Sequence, residues 1–279
     1  MNYLITGSSG FLGKSLSKFL ENSGHIVFKT HREINNDVLL KFDLLNRDEP
    51  IVNNLKSNID CVVHCAHSKQ KLKYQSNLID NYKGSEKIFK FSKKNNAKLI
   101  YISTISCFEG CISNYGRIKM HIEKLSKSYN ANILRPGLIY SKQIKENSMF
   151  NSLEKIIKKN YFIPVINNGN QIQYMCELET LNKLILQISL SKRTYNTLTV
   201  ANEKPLFFKD LVKKIARYNS KKIKLLNFPF PIMFYFLKFL EFFKINLKTN
   251  SDSLLSLINQ KKNVKISNFE DLDIFFPEF

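Results

Sequence analysis

The chain has 279 residues, 43% of them hydrophobic, and a formal net charge of +20. That length and apolar content suit one large α/β domain or a domain with a smaller lobe, and exclude a disordered, collagen-like or disulfide-dense protein. The charge comes mostly from lysines scattered among asparagine and isoleucine; compositional bias accounts for it as readily as an anionic partner, and no basic stripe with interleaved aromatics points to nucleic acid.

In chain order, short apolar runs at Asn2–Thr6, His25–Thr30, Asp60–Ala66, Lys98–Thr104 and Asn132–Gly137 read as strands. Between them Gly13–Ser23, Asn77–Asn95 and Asn114–Tyr129 carry apolar residues at helical spacing. Alternating β and α elements at this spacing predict a doubly wound parallel sheet, and continuous apolar strands fit a sheet covered on both faces. After Gly137 the rhythm changes to helical stretches at Met149–Asn160, Leu178–Leu190, Phe208–Asn219 and Phe234–Phe243. The expected organisation is a dinucleotide-binding Rossmann domain over residues 1–140. A smaller, mainly helical substrate lobe over 141–279 packs against it.

Three glycines, Gly7, Gly10 and Gly13, lie between the first strand and the first helix in "YLITGSSGFLGKSLSKFL". Gly7 permits a tight turn, Gly10 lets the backbone approach a pyrophosphate and Gly13 packs helix on strand, while the helix N-terminus offers N–H donors and a positive dipole. Further along, Tyr115 and Lys119 stand four apart at the start of a helix. On that shared face an ammonium stabilises a phenolate and lowers its pKa from about 10, which suits a tyrosine to acid–base work.

The spacing "TGSSGFLG" resembles the cofactor loop of the extended short-chain dehydrogenases/reductases, the NAD-dependent epimerases and dehydratases that act on nucleotide-linked sugars. Other stretches resemble the same family in the same order: "KFDLL", "IDCVVHCAHS", "DNYKGSEKIF", "YISTISCFEG", "NYGRIK" and "LRPGLIY". The resemblance covers residues 1 to about 140. It implies that Gly7, Gly10, Phe11, Leu12 and Gly13 hold the cofactor's pyrophosphate side and that Asp43 and Leu44 hold its adenine. Cys65, Ala66 and His67 would line it, with Asn81 on the following helix and Pro136 near the nicotinamide.

By the same resemblance Tyr115 passes a proton to or from a sugar hydroxyl or ketone. Lys119 tunes that phenol and binds ribose hydroxyls, and Thr104 hydrogen-bonds the substrate oxygen, with Ser103 as the alternative hydroxyl. Only ten residues separate Thr104 from Tyr115, whereas the family has a longer, substrate-covering loop there. A more open or differently built mouth is expected. For the cofactor, NAD(P), the residues after the second strand lean to NADP(H): they offer His31 and Arg32 before any carboxylate. NAD(H) stays open, as do epimerase, dehydratase and ketosugar reductase.

No metal site is expected. Cys61 and Cys65 point to one face of a strand and His64 to the other, and no second ligand cluster completes a tetrahedral site. Five cysteines in no disulfide-like framework, and an N-terminus that runs straight into a strand, point to the cytoplasm. In the C-terminal half, "EKPLFFKDLVKKIARY" and "NFPFPIMFYFLKFL" resemble the substrate lobe of polysaccharide-associated members, so surface polysaccharide biosynthesis is the expected setting. The aromatic run Phe228–Phe243 is expected in the core, with peripheral membrane contact as its second reading. A nucleotide-sugar substrate and a homodimer complete the expected partners, and a non-catalytic dinucleotide sensor or scaffold of the same fold is the alternative function.

Overall fold

The computed structural model describes residues 1–31, 40–45, 58–68, 74–144, 148–243 and 250–279. In the first half, β1 (Asn2–Thr6), α1 (Phe11–Asn22), β2 (Ile26–His31), β3 (Leu40–Lys41), β4 (Cys61–His64), α2 (Tyr74–Lys94), β5 (Lys98–Ile102), α3 (Asn114–Lys127) and β6 (Asn132–Pro136) alternate. Then come β7 (Leu138–Tyr140), α4 (Met149–Lys159), β8 (Phe162–Ile166), β9 (Ile172–Gln173), β10 (Met175–Glu177) and α5 (Leu178–Leu190). The chain closes with β11 (Thr197–Val200), β12 (Leu206–Phe207), α6 (Phe208–Tyr218), β13 (Lys224–Phe228), α7 (Phe230–Phe242) and α8 (Ser251–Ile258).

The main sheet is parallel throughout, in the order β11-β6-β5-β4-β1-β2-β3. The chain builds outward from β1 through β2 and β3, then returns to start again at β4 on the other side. A crevice opens beyond the carboxyl ends of β1 and β4, where parallel sheets of this kind bind ligands. Strand alternation sorts the core. Tyr3, Ile5, Cys61, Val63, Ile100 and Leu134 face α1 and α5. Leu4, Val62, Leu99, Tyr101 and Ile133 face α2 and α3, meeting Ile88, Phe89, Ile118 and Ile122.

The division at residue 140 does not separate sheet from lobe. Edge strand β11 and covering helix α5 both come from beyond it. The remaining lobe is built from two parallel strand pairs, β7 with β10 and β8 with β13, and one antiparallel pair, β9 with β12. Helices α4 and α6 cover it around Tyr140, Phe150, Ile157, Leu211, Val212 and Ile215.

The expectation of a buried Phe228–Phe243 run is corrected. Only Leu237 of α7 is buried, packed with Ile166 and Leu254, while Phe230, Met233 and Phe234 lie against them half-buried. The opposite face turns Tyr235 (70% exposed) and Phe242 (81%) outward. Apolar residues all around a helix signify burial only when two faces find partners, and here one does. Accordingly Leu237→Ala should destabilise the fold by about 2–5 kcal/mol through a core cavity, whereas Phe239→Ala on the outer face should stay within about 0.5 kcal/mol. Urea unfolding of the two variants checks the orientation of α7.

Candidate functional site

Where β1 ends, Gly7 takes a φ of +69°, and a Cβ there would stand 2.8 Å from the Ala66 nitrogen. Gly13, in the first turn of α1, is tighter still: its Cβ would sit 2.3 Å from the Gly7 carbonyl oxygen. Strand β1, the Cys65–Ala66 segment after β4 and helix α1 thus meet backbone to backbone, and only hydrogen fits between them. Gly10 is the N-cap of α1, with no capping side chain and no acidic residue in the first turn. The unpaired N–H groups and positive dipole at this end suit an anion. The cradle fits the pyrophosphate of a dinucleotide.

A cleft of about 400 Å³ opens from this loop. Gly7, Gly10, Phe11, Leu12 and Gly13 form its floor, with Asp43, Leu44, Cys65, Ala66 and His67 at one wall. Thr104, Tyr115, Lys119 and Pro136 line the other. Asn81 stands behind the wall. Its Oδ1 accepts from Ser68 N at 2.8 Å and its Nδ2 donates to the Ser68 and Asn77 carbonyls, which pins the segment after β4. Arg32 lies outside the described residues. Ser9 of the glycine loop and Ser103, the alternative hydroxyl, also line the cleft, as do Thr30, Phe42, Ile102, Gly137 and Ile139. The last five follow from strand ends and their neighbours, which no single motif marks.

Helix α3 carries Tyr115 in its first turn and Lys119 one turn later. Ser113 caps it, accepting from Gly116 N at 3.2 Å. Two residues just beyond the carboxyl end of β5, Ser103 and Thr104, complete the group, and they are not equivalent. The Ser103 hydroxyl donates to the Glu123 carboxylate, which also receives Arg135 Nε at 2.8 Å. Thr104 instead lies beside the Tyr115 phenol and favours its ionised form. Lys119 is 2% exposed, and its ammonium donates to the Ile102 carbonyl at 2.7 Å and lies over the Tyr101 ring. It is 6.0 Å from the Tyr115 ring centre. With the ammonium held there, burial dominates and pushes the Tyr115 phenol up to about 12, against the lowering effect of the Thr104 hydroxyl. The expected lowering by Lys119 is not what the protein alone displays. His67 meets the same ring edge-on, with ring centres 4.9 Å apart.

The short segment between Thr104 and Tyr115 is held from an unexpected quarter. Helix α8 lies along α3, and its Asp252 accepts from Asn114 N at 2.6 Å and from Tyr115 N at 3.1 Å. Asn259 Oδ1 accepts from Ile112 N at 3.0 Å, and the Ser256 hydroxyl donates to that of Ser106 at 3.0 Å. A carboxylate at a helix N-terminus satisfies orphan donors and complements the dipole. No sequence signal marks Asp252, because the contact spans more than 130 residues of chain.

A family model described as the NAD dependent epimerase/dehydratase family matches residues 3–175. The chain belongs to that family. As a member of this enzyme family it is similar to an uncharacterized protein of Methanocaldococcus jannaschii, 23% identical over 269 residues that cover 80% of this chain and 82% of the relative. Its fold is that of UDP-glucuronic acid 4-epimerase from Bacillus cereus in complex with NAD, at a TM-score of 0.69 and 17% identity, covering 92% and 94% of the two chains. It is also similar to dTDP-4-dehydrorhamnose reductase from Bacillus anthracis in complex with NADP, at a TM-score of 0.66 and 19% identity, covering 94% and 99%. The last two likenesses are of fold.

Two outcomes test the site. Gly13→Ala drives a methyl group into the Gly7 carbonyl, so dinucleotide affinity should fall at least ~10-fold and stability by about 1–3 kcal/mol; calorimetric titration and thermal melting read both. Asp252→Ala should cost about 1 kcal/mol in stability, the usual worth of a lost cap, and should lower turnover more than it weakens dinucleotide binding, because it acts on Tyr115 and not on the glycine loop.

Proposed function

We propose that this protein is an NAD(P)-dependent enzyme that oxidises or reduces a ring carbon of a nucleotide-linked sugar, as a C4 epimerase or a ketosugar reductase. One observation carries the proposal: the Tyr115 phenol, its Thr104 partner and Lys119 open onto the same cleft as the glycine cradle. A bound nicotinamide dinucleotide would supply the hydride acceptor or donor and, when oxidised, a positive charge near the phenol.

The remaining work falls to the chain's own residues. Gly7, Gly10 and the α1 N-terminus hold the pyrophosphate, while Asp43 and Leu44 bound the adenine end. Thr104 shares a hydrogen bond with the reacting oxygen and fixes its distance from the phenol. In reduction Tyr115 gives its proton to the forming alkoxide; in oxidation it removes the hydroxyl proton. Lys119 contacts ribose hydroxyls and offsets the negative charge of a phenolate. Arg32, the first residue after β2, supports NADP(H) as the exchangeable form.

A phenol pushed up to about 12 by burial is protonated throughout the neutral range, and this gives the pH sign. Reduction, which uses the protonated tyrosine, should hold its rate across neutral pH and fall only on the alkaline side. Oxidation, which uses the phenolate, should rise with pH. Tyr115→Phe should remove turnover by at least ~100-fold, the lower end of what positioned proton transfer contributes, with dinucleotide affinity within a few-fold of the parent. Steady-state rates and equilibrium titration on the same preparation check this. Undiminished turnover would remove the proton-transfer role, and a phenotype-free Tyr115→Phe strain would favour a dinucleotide sensor.

A further inference from the structure

Helix α7 has an outer face with no partner among the described residues. Ile232, Tyr235, Phe236, Phe239, Phe242 and, at its C-cap, Phe243 are each more than half exposed. Their spacing places them on one stripe, about 17 Å long at 1.5 Å per residue. Phe239 and Phe243 stack with ring centres 4.7 Å apart, and Phe242 meets Phe243 at 5.3 Å, so the rings at one end form a continuous surface. The inner face of the same helix is already seated on Ile166 and Leu254. The stripe is therefore not unfinished core.

Two occupants compete for such a face, a second copy of the chain and a lipid surface. Charge separates them. Two molecules of net charge +20 repel on approach, whereas an anionic bilayer attracts the same charge within a Debye length of about 10 Å. The lateral arrangement agrees. The Lys238 ammonium borders the stripe, its side chain 55% exposed, 5.8 Å from the Phe234 ring centre and 3.7 Å from the Glu241 carboxylate. A cation this exposed beside an apolar stripe suits the headgroup level of a bilayer. Among the described residues no helix is long and apolar enough to cross a membrane, so a flat-lying helix is the geometry left.

We propose that α7 docks in the plane of an anionic lipid bilayer, sinking this aromatic stripe into the boundary between headgroups and acyl chains. The inner side of the helix carries the consequence to the cleft. Glu241 accepts from Ser251 N at 2.6 Å and from the Ser251 hydroxyl at 2.9 Å. The next residue, Asp252, caps the Tyr115 helix. A docked α7 thus holds the catalytic helix at the membrane surface through two consecutive residues of α8.

The test is co-sedimentation of the full chain with vesicles of phosphatidylcholine alone and of phosphatidylcholine mixed with phosphatidylglycerol. The parent should partition to the anionic vesicles at least ten-fold more than to the neutral ones. Phe239→Ser/Phe242→Ser should lose at least ten-fold of that binding with an unchanged melting temperature. If the melting temperature drops, Tyr235→Glu is read in its place. A parent that stays in the supernatant would overturn the proposal, as would a folded variant that sediments as well as the parent, which would reduce the effect to charge alone. A parent dimer in sedimentation velocity that the variant converts to monomer, without vesicle binding by either, would assign the stripe to a second copy.

Discussion

Everything in the cleft depends on the backbone contact at the end of β1. Gly7, Ala66 and Gly13 come so close that a single methyl group on either glycine would collide with main-chain atoms. The contact draws α1 over the crevice between β1 and β4 and points its uncapped N-terminus inward. It also sets the height of the Cys65–His67 wall, whose His67 ring in turn meets Tyr115. A larger residue at Gly13 would lift the helix, and with it the anion site, away from the strands.

Several of the polar groups buried around this contact have hydrogen-bond partners. His64 bridges Thr6 and Ser85 at 2.7 and 2.9 Å, and burial pushes its pKa down to about 3, so it is a neutral structural link. Glu123 gathers Ser103 and Arg135 beneath β5 and β6. Such pairing is what makes a buried carboxylate tolerable. Its side effect is chemical: with Ser103 committed to Glu123, Thr104 is the hydroxyl left for the phenol. The first turns of α3 are similarly divided, since Asp252 takes the terminal N–H groups of Asn114 and Tyr115 while the Tyr115 and Lys119 side chains face the cleft.

Local pattern carried most of the fold. β1 matches its expected span, and α5 does so at Leu178–Leu190, because apolar periodicity and flanking turns decide both. The glycine loop and the Tyr115–Lys119 pair were legible because their chemistry is confined to a few adjacent residues. What escaped depends on contacts between distant segments. β11 is four residues long and becomes a strand through pairing with β6. Asp252 acts across the molecule. The Tyr115 pKa follows from burial in the assembled cleft, which overrides what an i,i+4 lysine does on an isolated helix. Composition reports how apolar a helix is, not how many of its faces are covered, so the aromatic run of α7 reads as core while one face stays exposed.

The central claim is that the glycine cradle and Tyr115 share one dinucleotide. Its most direct measurement is to denature the purified protein, identify any released nucleotide by mass spectrometry, and titrate the emptied or refolded protein with NAD⁺ and NADPH. Near-stoichiometric NAD⁺ or NADH would establish a recycled cofactor and an epimerase or dehydratase. An empty protein that binds NADPH would establish an exchangeable co-substrate and a ketosugar reductase. A protein that releases no dinucleotide and binds neither form would contradict the claim.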